Sequence, residues 1–391
     1  MGKRWLWSSL LLFLLISGFA IKAKIEPYQY QLSSLIGIWD GFAEVNPELI
    51  NQGFVVFKDG GYDGQFFYLI AKSIFQENHW GLVVDSYFFR MHRLGLSLAI
   101  GLPSYLFGFS YYPQIAICVL WIAFLYSFFC LYQLLPDRKY LALFYLFSPF
   151  TLNSNLLLVA DGFFTSLSII SLYLLRKDRP IFILLFFLTL TVVTRELGIT
   201  LLPCYFFYLY NKEKKTHAFS MFFPILVFIS LLICLRLFPP THLGTNPLDF
   251  KDMTDLPLFG FIKSFFDSGT FHFQLKESPK FIFLLMLLLL SLFFILNLKR
   301  IITEIDAQLV IILAPILVSL GVIFIAEEGY WRSFDNLSRM FTWCLPNVIL
   351  LLERIRSKWL SAFLFCSSSL FLFLLIRILF ITPNKEFYLY L

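Results

Sequence analysis

A succession of long apolar runs separated by short polar segments constrains this chain more than any other feature. Of its 391 residues, 59% are hydrophobic and 14% are charged, and the mean hydropathy is +0.77. Soluble domains are closer to about 45–50% apolar and about 25% charged residues. The composition therefore predicts an all-α polytopic membrane protein. Counting each apolar run as one span gives about eleven transmembrane helices, at residues 5–21, 113–134, 140–158, 162–175, 180–194, 197–210, 218–238, 280–298, 307–326, 340–352 and 359–381.

The same runs divide the chain into three parts. We expect a membrane module at 1–238 that includes a long first loop at 22–112, an outer loop at 239–279, and C-terminal transmembrane helices at 280–391. The first apolar run is about long enough to span a bilayer, although its basic start also fits a signal peptide. Because no clean small-residue cleavage pattern follows this run, we interpret it as a retained anchor.

The distribution of lysine and arginine predicts which side of the membrane each loop occupies. The run at 94–109 is interrupted by three glycines and Pro103, so it is short and broken for a span. If it does not cross, the dense basic clusters all fall on one side, which the positive-inside rule assigns to the cytoplasm. We therefore predict that 94–109 is re-entrant or surface-lying, that the N-terminus is cytoplasmic and that the first loop faces outward. The basic clusters are residues 3–4, 137–139, 176–179, 212–215, 299–300 and 353–358.

The first outer loop contains a glycine-rich stretch around two carboxylates, which reads Lys58-Asp59-Gly60-Gly61-Tyr62-Asp63-Gly64-Gln65-Phe66-Phe67-Tyr68. Its glycines allow the backbone to turn tightly and to hold an acid at a fixed point. Apolar residues then recur at helical spacing, whereas Gln65, Tyr68 and Lys72 fall on the opposite face. The pattern predicts a helix that lies at the membrane surface. The simpler alternative is an acidic turn that only caps this helix.

Charged residues at the outer ends of other spans are further candidates, because ionisable groups are costly in a membrane and often functional. Asp161 begins a span, where the alternative role is helix capping. Arg195 and Glu196 interrupt two apolar runs, and the alternative is that they pair only with each other or mark the bend between the runs. Arg339 can hold a lipid phosphate through two hydrogen bonds, or else it anchors its helix at the interface. The first loop adds Arg90, His92 and Arg93.

Cysteine and histidine spacing indicates no metal centre. The six cysteines all lie inside apolar runs, and the five histidines are scattered, with no pair at the spacing of a metal site. The sequence therefore assigns no cofactor, and it leaves a divalent cation at the site open. It contains no nucleotide-binding loop, and we expect no nucleic-acid partner.

In combination, these features resemble the GT-C class of membrane glycosyltransferases, which take a sugar from a polyprenyl phosphate donor. The likeness is to a bacterial branch with a Tyr-Asp-Gly-Gln-Phe-Tyr-Tyr-like motif in the first outer loop, matched here by residues 61–68. The branch has arginines further on, matched by Arg90 and Arg93, and a Leu-Thr-Arg-Glu-like turn, matched by residues 193–196. The resemblance covers about residues 1–210, with a further match at Arg339.

The resemblance implies that Asp63 is the general base on the acceptor hydroxyl and that Asp161 is a second acid of the site. It also implies a GT-C-like bundle with surface-lying helices in the first outer loop. Many relatives place two acids side by side in this loop, whereas here Gly64 follows Asp63, and this departure leaves metal use and the acceptor open. The residues that we expect to bind substrate are Tyr62, Gln65, Arg90, Arg93, Arg195, Glu196 and Arg339.

We therefore expect a glycosyltransferase of the bacterial inner membrane with its active site on the periplasmic face. It would move a hexosyl or pentosyl unit from a polyprenyl phosphate to a glycan or lipid acceptor, in the assembly of a cell-surface glycopolymer or glycolipid. One alternative is a transporter or lipid flippase, which would place charged residues within its spans and have two related halves. The other is a membrane assembly protein without catalytic activity.

Overall fold

The computed structural model describes residues 3–45, 53–58, 60–75, 90–237, 253–267, 270–271, 277–381 and 386–389. Asp59 of the glycine-rich stretch lies outside these residues, as does much of the predicted outer loop.

The described chain is mainly helical, and six helical segments in it are long and apolar enough to cross a membrane. This number is smaller than the predicted count of about eleven spans, because the other apolar runs form helices shorter than the roughly 20 residues that a span requires. The fold is therefore that of an all-α protein with the long apolar helices expected of a multi-pass membrane protein. The six segments are Arg4–Tyr28, Phe109–Leu134, Lys215–Leu237, Pro279–Thr303, Ala307–Ile325 and Lys358–Ile381.

The α-helices of the described residues are, in chain order, α1 (Lys3–Ile25), α2 (Asp40–Val45), α3 (Gly64–Phe75), α4 (Gly95–Phe107), α5 (Tyr112–Leu134), α6 (Ala142–Leu146), α7 (Pro149–Leu156), α8 (Ala160–Arg176), α9 (Ile181–Thr194), α10 (Leu201–Asn211), α11 (Lys215–Phe219), α12 (Phe222–Leu237), α13 (Phe259–Lys263), α14 (Pro279–Thr303), α15 (Ala307–Ile325), α16 (Glu328–Arg332), α17 (Phe334–Thr342), α18 (Cys344–Arg354) and α19 (Lys358–Ile376). Short 3-10 turns occupy Glu26–Tyr28, Leu32–Leu35, Phe109–Tyr111, Lys139–Leu141 and Glu196–Thr200, and a π-helical turn follows α19 at Arg377–Ile381.

Short strands connect the first loop to the end of the chain. Strand β1 (Ile38–Trp39) pairs in parallel with β2 (Val55–Phe57), and β2 pairs antiparallel with β5 (Phe387–Leu389). A separate antiparallel pair joins β3 (Phe266–Asp267) to β4 (Thr270–Phe271). The first and last predicted parts of the chain therefore share one small sheet.

Helix α8 lies at the centre of the bundle. It is buried from Ala160 to Leu175, and it packs against α5 and α9. Its first turn contains Asp161 and its last turn contains Arg176. Because only a short loop joins α8 to α9, the beginning of α8 and the end of α9 lie at one end of the bundle, opposite the basic loop between them.

Helix α3 differs from the predicted surface helix, because both of its faces are buried. Gln65 and Lys72 are each 4% exposed, and Tyr68 is fully buried. Neighbouring segments cover this polar face: Gln65 Oε1 accepts a hydrogen bond from the Trp39 backbone nitrogen at 3.0 Å, and the Tyr68 ring packs edge-on against Tyr112. The face that periodicity marks as polar is therefore covered by protein.

The interrupted run at 94–109 forms one helix, α4, which continues through Pro103. Its 13 residues correspond to about 20 Å of helix, which is short of the roughly 30 Å hydrocarbon core. It packs against α3, α5 and α9. The length agrees with the interpretation that this segment does not cross on its own, and its relation to a membrane stays a prediction.

Candidate active site

Carboxylates and arginines from five separate parts of the chain meet where α8 begins and α9 ends. We call this group the carboxylate–arginine cluster, and it comprises Asp63, Asp161, Glu196, Arg90, Arg93, Arg195 and Arg339. Four arginines face three carboxylates, which leaves the cluster with an excess of one positive charge. All seven were candidates from the sequence, and the structure brings them together.

Arg339 connects the two acids that the sequence singled out. Its Nη1 donates to Asp63 Oδ2 at 2.6 Å, and its Nε donates to Asp161 Oδ2 at 2.7 Å. The Asp161 side chain is only 2% exposed and that of Arg339 only 15%. A buried charge is tolerated when it is paired and hydrogen-bonded, and each acid meets that condition through the same guanidinium group.

Two further ion pairs complete the cluster on the side of α9. Arg195 Nη1 donates to Asp161 Oδ1. Arg93 makes two bonds to Glu196, from Nε at 2.9 Å and from Nη2 at 2.5 Å, and His92 Nε2 lies 3.2 Å from the same carboxylate. Arg195 and Glu196 therefore pair with other segments of the chain, and the alternative that they pair only with each other is wrong.

Arg90 brings the first loop into the cluster. Its Nη1 lies 3.4 Å from Asp63 Oδ1, and its guanidinium carbon lies 4.0 Å from the centroid of the Phe66 ring. This places a cation over an aromatic face, an arrangement that stabilises the charge. The aromatic ring of α3 therefore supports an arginine of the site directly.

A narrow cavity lies among these groups. Its volume is about 10 Å³, which is about the space needed for one water molecule. Its apolar wall comes from α3, through Phe66, Phe67 and Ile70, and its charged wall comes from the cluster. In this conformation the arginines are engaged by carboxylates, and a ligand phosphate would have to take over some of these bonds.

The environment of Asp63 keeps its carboxylate ionised. Burial opposes the charged form, but the positive charge of Arg339, and then that of Arg90, outweighs this effect and lowers the pKa of Asp63 to about 2. Burial likewise opposes ionisation of Glu196, and Arg93 and His92 hold the pKa of that carboxyl well below its usual range. Both groups are anionic at neutral pH.

The glycine-rich stretch is fixed by contacts with the segment before β1. Tyr62 N donates to Gly37 O at 2.7 Å, and Gln65 holds Trp39 as described above. Gln65 therefore has a structural contact, and its predicted substrate contact stays a prediction. The Tyr62 hydroxyl is buried without a hydrogen bond of standard geometry, although the Arg339 charge acts on it.

The structure also bears on the simpler interpretations of two residues, which are helix capping for Asp161 and interfacial anchoring for Arg339. Val159, and not Asp161, is the N-cap of α8, and it provides no capping side chain; the Asp161 carboxylate binds two arginines instead. Arg339 is largely buried among carboxylates, a position that differs from that of an exposed interfacial anchor. Both residues contribute to a shared ionic network.

A second ionic group near the cluster was missed from the sequence. Asp335 accepts two hydrogen bonds from Arg377, at 2.5 and 2.9 Å, and one from Asn153 Nδ2 at 3.1 Å. The signal was present, because Asp335 precedes Arg339 by four residues, which is the spacing of neighbours on one helix face. Among the described residues, no group of three or more His, Cys, Asp or Glu side chains is arranged to hold a metal ion.

Comparison of the chain with protein-family models, with curated protein sequences and with solved structures gave no match.

Proposed function

We propose that this chain is a membrane glycosyltransferase of the GT-C type, which transfers a sugar from a polyprenyl phosphate to an acceptor hydroxyl. The observation that carries the proposal is that Arg339 binds both Asp63 and Asp161, two acids almost 100 residues apart in sequence. Such a transfer requires a base and a cation that can bind a phosphate. Asp63 and Arg339 can supply these two groups, and they are in direct contact.

In the proposed reaction, Asp63 accepts the proton of the acceptor hydroxyl as its oxygen attacks the anomeric carbon of the sugar. A carbon–oxygen bond forms at the anomeric carbon, and the bond from that carbon to the donor phosphate breaks. The phosphate departs with the electron pair and gains one negative charge, which the arginines stabilise. The leaving group is already a good one, so no acid is needed to protonate it, and a single displacement inverts the anomeric configuration.

The ion pair with Arg339 also suggests how the base would be activated. A carboxylate with a pKa of about 2 is a weak proton acceptor. A donor phosphate would compete with Asp63 for Arg339 and Arg90, and the loss of these partners would raise the pKa of Asp63 towards its ordinary value. Donor binding would therefore strengthen Asp63 as a base.

The position of the charges favours this proposal over transport. Asp161 lies in the first turn of α8, and Arg195 directly follows α9. The cluster is therefore at the ends of its helices, which suits a lipid-linked donor whose phosphate is confined to the membrane boundary. A transport pathway would more commonly place such groups near the middle of broken helices.

The test is transfer by the purified protein from a panel of radiolabelled polyprenyl phosphate sugars, followed by product analysis. We expect Asp63→Asn to lower the rate by about 100-fold or more, as is typical for loss of a general base. Asp178→Asn is the matched control, because Asp178 forms an exposed ion pair with Lys214 at the opposite end of α8. Transfer by Asp63→Asn at the rate of the control would rule out the role of base.

A further inference from the structure

An apolar groove runs along the first helix and adjoins a second cavity, whose lining includes Tyr62 and several charged side chains. The groove lies between α1 and the end of α19, has a volume of about 420 Å³ and is lined by Leu15, Phe19, Leu375 and Leu379, among others. Leu15 and Phe19 are 63% and 57% exposed, so the groove opens on the side of the helices that a bilayer would cover. Its chemistry suits a hydrocarbon chain.

This cavity has a volume of about 170 Å³, and its lining includes Lys24, Tyr62, Asp335 and Arg377. Ile378 lines both the cavity and the groove. On α1, Ala20 lines the groove and Lys24 follows it by four residues, which places both on one helix face. The two spaces are therefore consecutive along one path between the first helix and the last.

The cavity has the chemistry of a site for an anionic group. Of its described lining residues, Lys24 and Arg377 carry positive charge and Asp335 carries negative charge. Lys24 Nζ donates to the Leu156 carbonyl at 3.0 Å, and an ammonium group has three donors. Tyr62 contributes to the lining of the cavity, whereas its hydroxyl oxygen is buried.

One lining residue of the cavity also lies next to the proposed base. Tyr62 lines the cavity, and Asp63 follows it in the chain. In addition, Asp335 of the cavity and Arg339 of the cluster lie on the same helix, α17, one turn apart. A head group bound here would be adjacent to the carboxylate–arginine cluster, which has space for only about one water molecule.

We infer that the groove and the cavity together bind a single-chain lipid phosphate, with its hydrocarbon chain in the groove and its phosphate beside Lys24 and Arg377. One groove takes one chain, which favours a polyprenyl monophosphate over a two-chain glycerophospholipid. The choice of this lipid rests on the proposed function; the site itself rests on the cavity, the groove and their charges. Lys24 would thus hold the lipid outside the closed cluster.

The test is equilibrium binding of radiolabelled polyprenyl monophosphate to the detergent-solubilised full chain. We expect Lys24→Met to weaken binding by about tenfold, as loss of a charged hydrogen bond does, and Lys24→Arg to restore most of it. Lys22→Met is the matched control, because Lys22 is an exposed lysine on the same helix, and it should bind like the original chain. Unchanged binding by Lys24→Met would overturn the assignment of the phosphate.

Competition experiments distinguish the contribution of the hydrocarbon chain to binding from that of the phosphate. Unlabelled polyprenyl monophosphate should displace the label, whereas polyprenol, inorganic phosphate and dioleoylphosphatidylglycerol should each do so much less well. Displacement by phosphatidylglycerol at equal concentration would overturn the single-chain assignment. Because this assay does not involve transfer, binding without sugar transfer would count against the proposed function alone. Normal transfer by a Lys24→Met protein that binds the lipid as tightly as the original chain would overturn only this inference.

Discussion

Arg339 donates to two carboxylates through different nitrogen atoms, and this geometry limits which side chains the position tolerates. The two bonds, to Asp63 and to Asp161, are at 2.6 and 2.7 Å. A lysine ammonium is a compact charge on a flexible stem and does not reproduce the planar fork of a guanidinium group. A lysine at this position would therefore keep the positive charge but would not keep the bridge that Arg339 forms between Asp63 and Asp161.

For this reason, we predict that Arg339→Lys lowers kcat/KM for sugar transfer by about 100-fold or more, the loss typical when one preorganised donor is removed from a transition state. The measurement is steady-state transfer with the best donor from the panel. Arg332→Lys is the control, since Arg332 forms an exposed ion pair with Glu328. If both variants transferred at the original rate, the bridge would have no part in catalysis.

The lowered pKa of Asp63 also predicts how stability depends on pH. Because the folded-state pKa is about 2, below the ordinary value of 3.8, ionised Asp63 stabilises the fold above about pH 4, and this contribution is lost as the pH falls towards 2. Asp63→Asn should therefore lower the melting temperature at pH 7, and the difference from the original chain should narrow below pH 4. Thermal unfolding in detergent at pH 7 and pH 3 measures this; a difference of equal size at both pH values would contradict it.

At the level of elements, the glycine after Asp63 has a structural explanation. A Cβ added at Gly64 would lie 2.7 Å from the Ile36 carbonyl oxygen and 2.8 Å from the Leu157 carbonyl oxygen. Both are backbone atoms, which cannot move aside as the end of a flexible side chain can. The departure from the paired acids of the GT-C enzymes that the sequence resembles thus coincides with a place where the first turn of α3 packs directly on two other segments.

Gly64→Ala should therefore destabilise the protein by about 1–3 kcal/mol, the usual cost of overpacking. The control is Gly18→Ala on α1, where an added Cβ meets nothing within 4 Å and the change improves helix propensity. The free energy of unfolding in denaturant, measured in the same detergent, compares the two. Equal stability of the two variants would show that the close packing at Gly64 is not important for the fold.

The sequence predicted that α3 is a helix but not how it is covered. Period 3.6 in the apolar residues shows that a segment is helical, and the same pattern assigns Gln65 and Lys72 to a polar face. Periodicity does not reveal that other segments cover this face, as Trp39 does through its bond to Gln65. The apolar runs likewise located most of the long helices, yet they could not distinguish a full span from a short buried helix such as α4.

For the whole molecule, the distribution of basic loops predicted which charged residues lie at the same end of the bundle, and the carboxylate–arginine cluster consists of residues from that end. The sequence did not predict which carboxylate pairs with which arginine. Arg195 meets Asp161 and not its neighbour Glu196, because the choice depends on how α8, α9 and α17 pack. The Asp335–Arg377 pair, which joins the start of α17 to the end of α19, was missed for the same reason.

The loop charges make a last prediction about the orientation of the whole bundle. Lys177, exposed in the basic loop after α8, should lie in the cytoplasm according to the positive-inside rule. Leu256, which is 68% exposed, belongs to the predicted outer loop. Its neighbour Asp255 is bound to the last turn of α15, through a hydrogen bond from Asp255 N to Ile325 O at 2.7 Å.

A membrane-impermeant thiol reagent should therefore label Leu256→Cys in intact spheroplasts, and it should label Lys177→Cys only after permeabilisation. Cys118 and Cys234, which are exposed, are first replaced by serine to remove background. Labelling of both positions from the same side would contradict the three spans predicted between them. Labelling from opposite sides in the reverse order would contradict the positive-inside assignment and the prediction that α4 does not cross the membrane, and it would turn the carboxylate–arginine cluster towards the cytoplasm, where a transferase would need a donor on the inner leaflet.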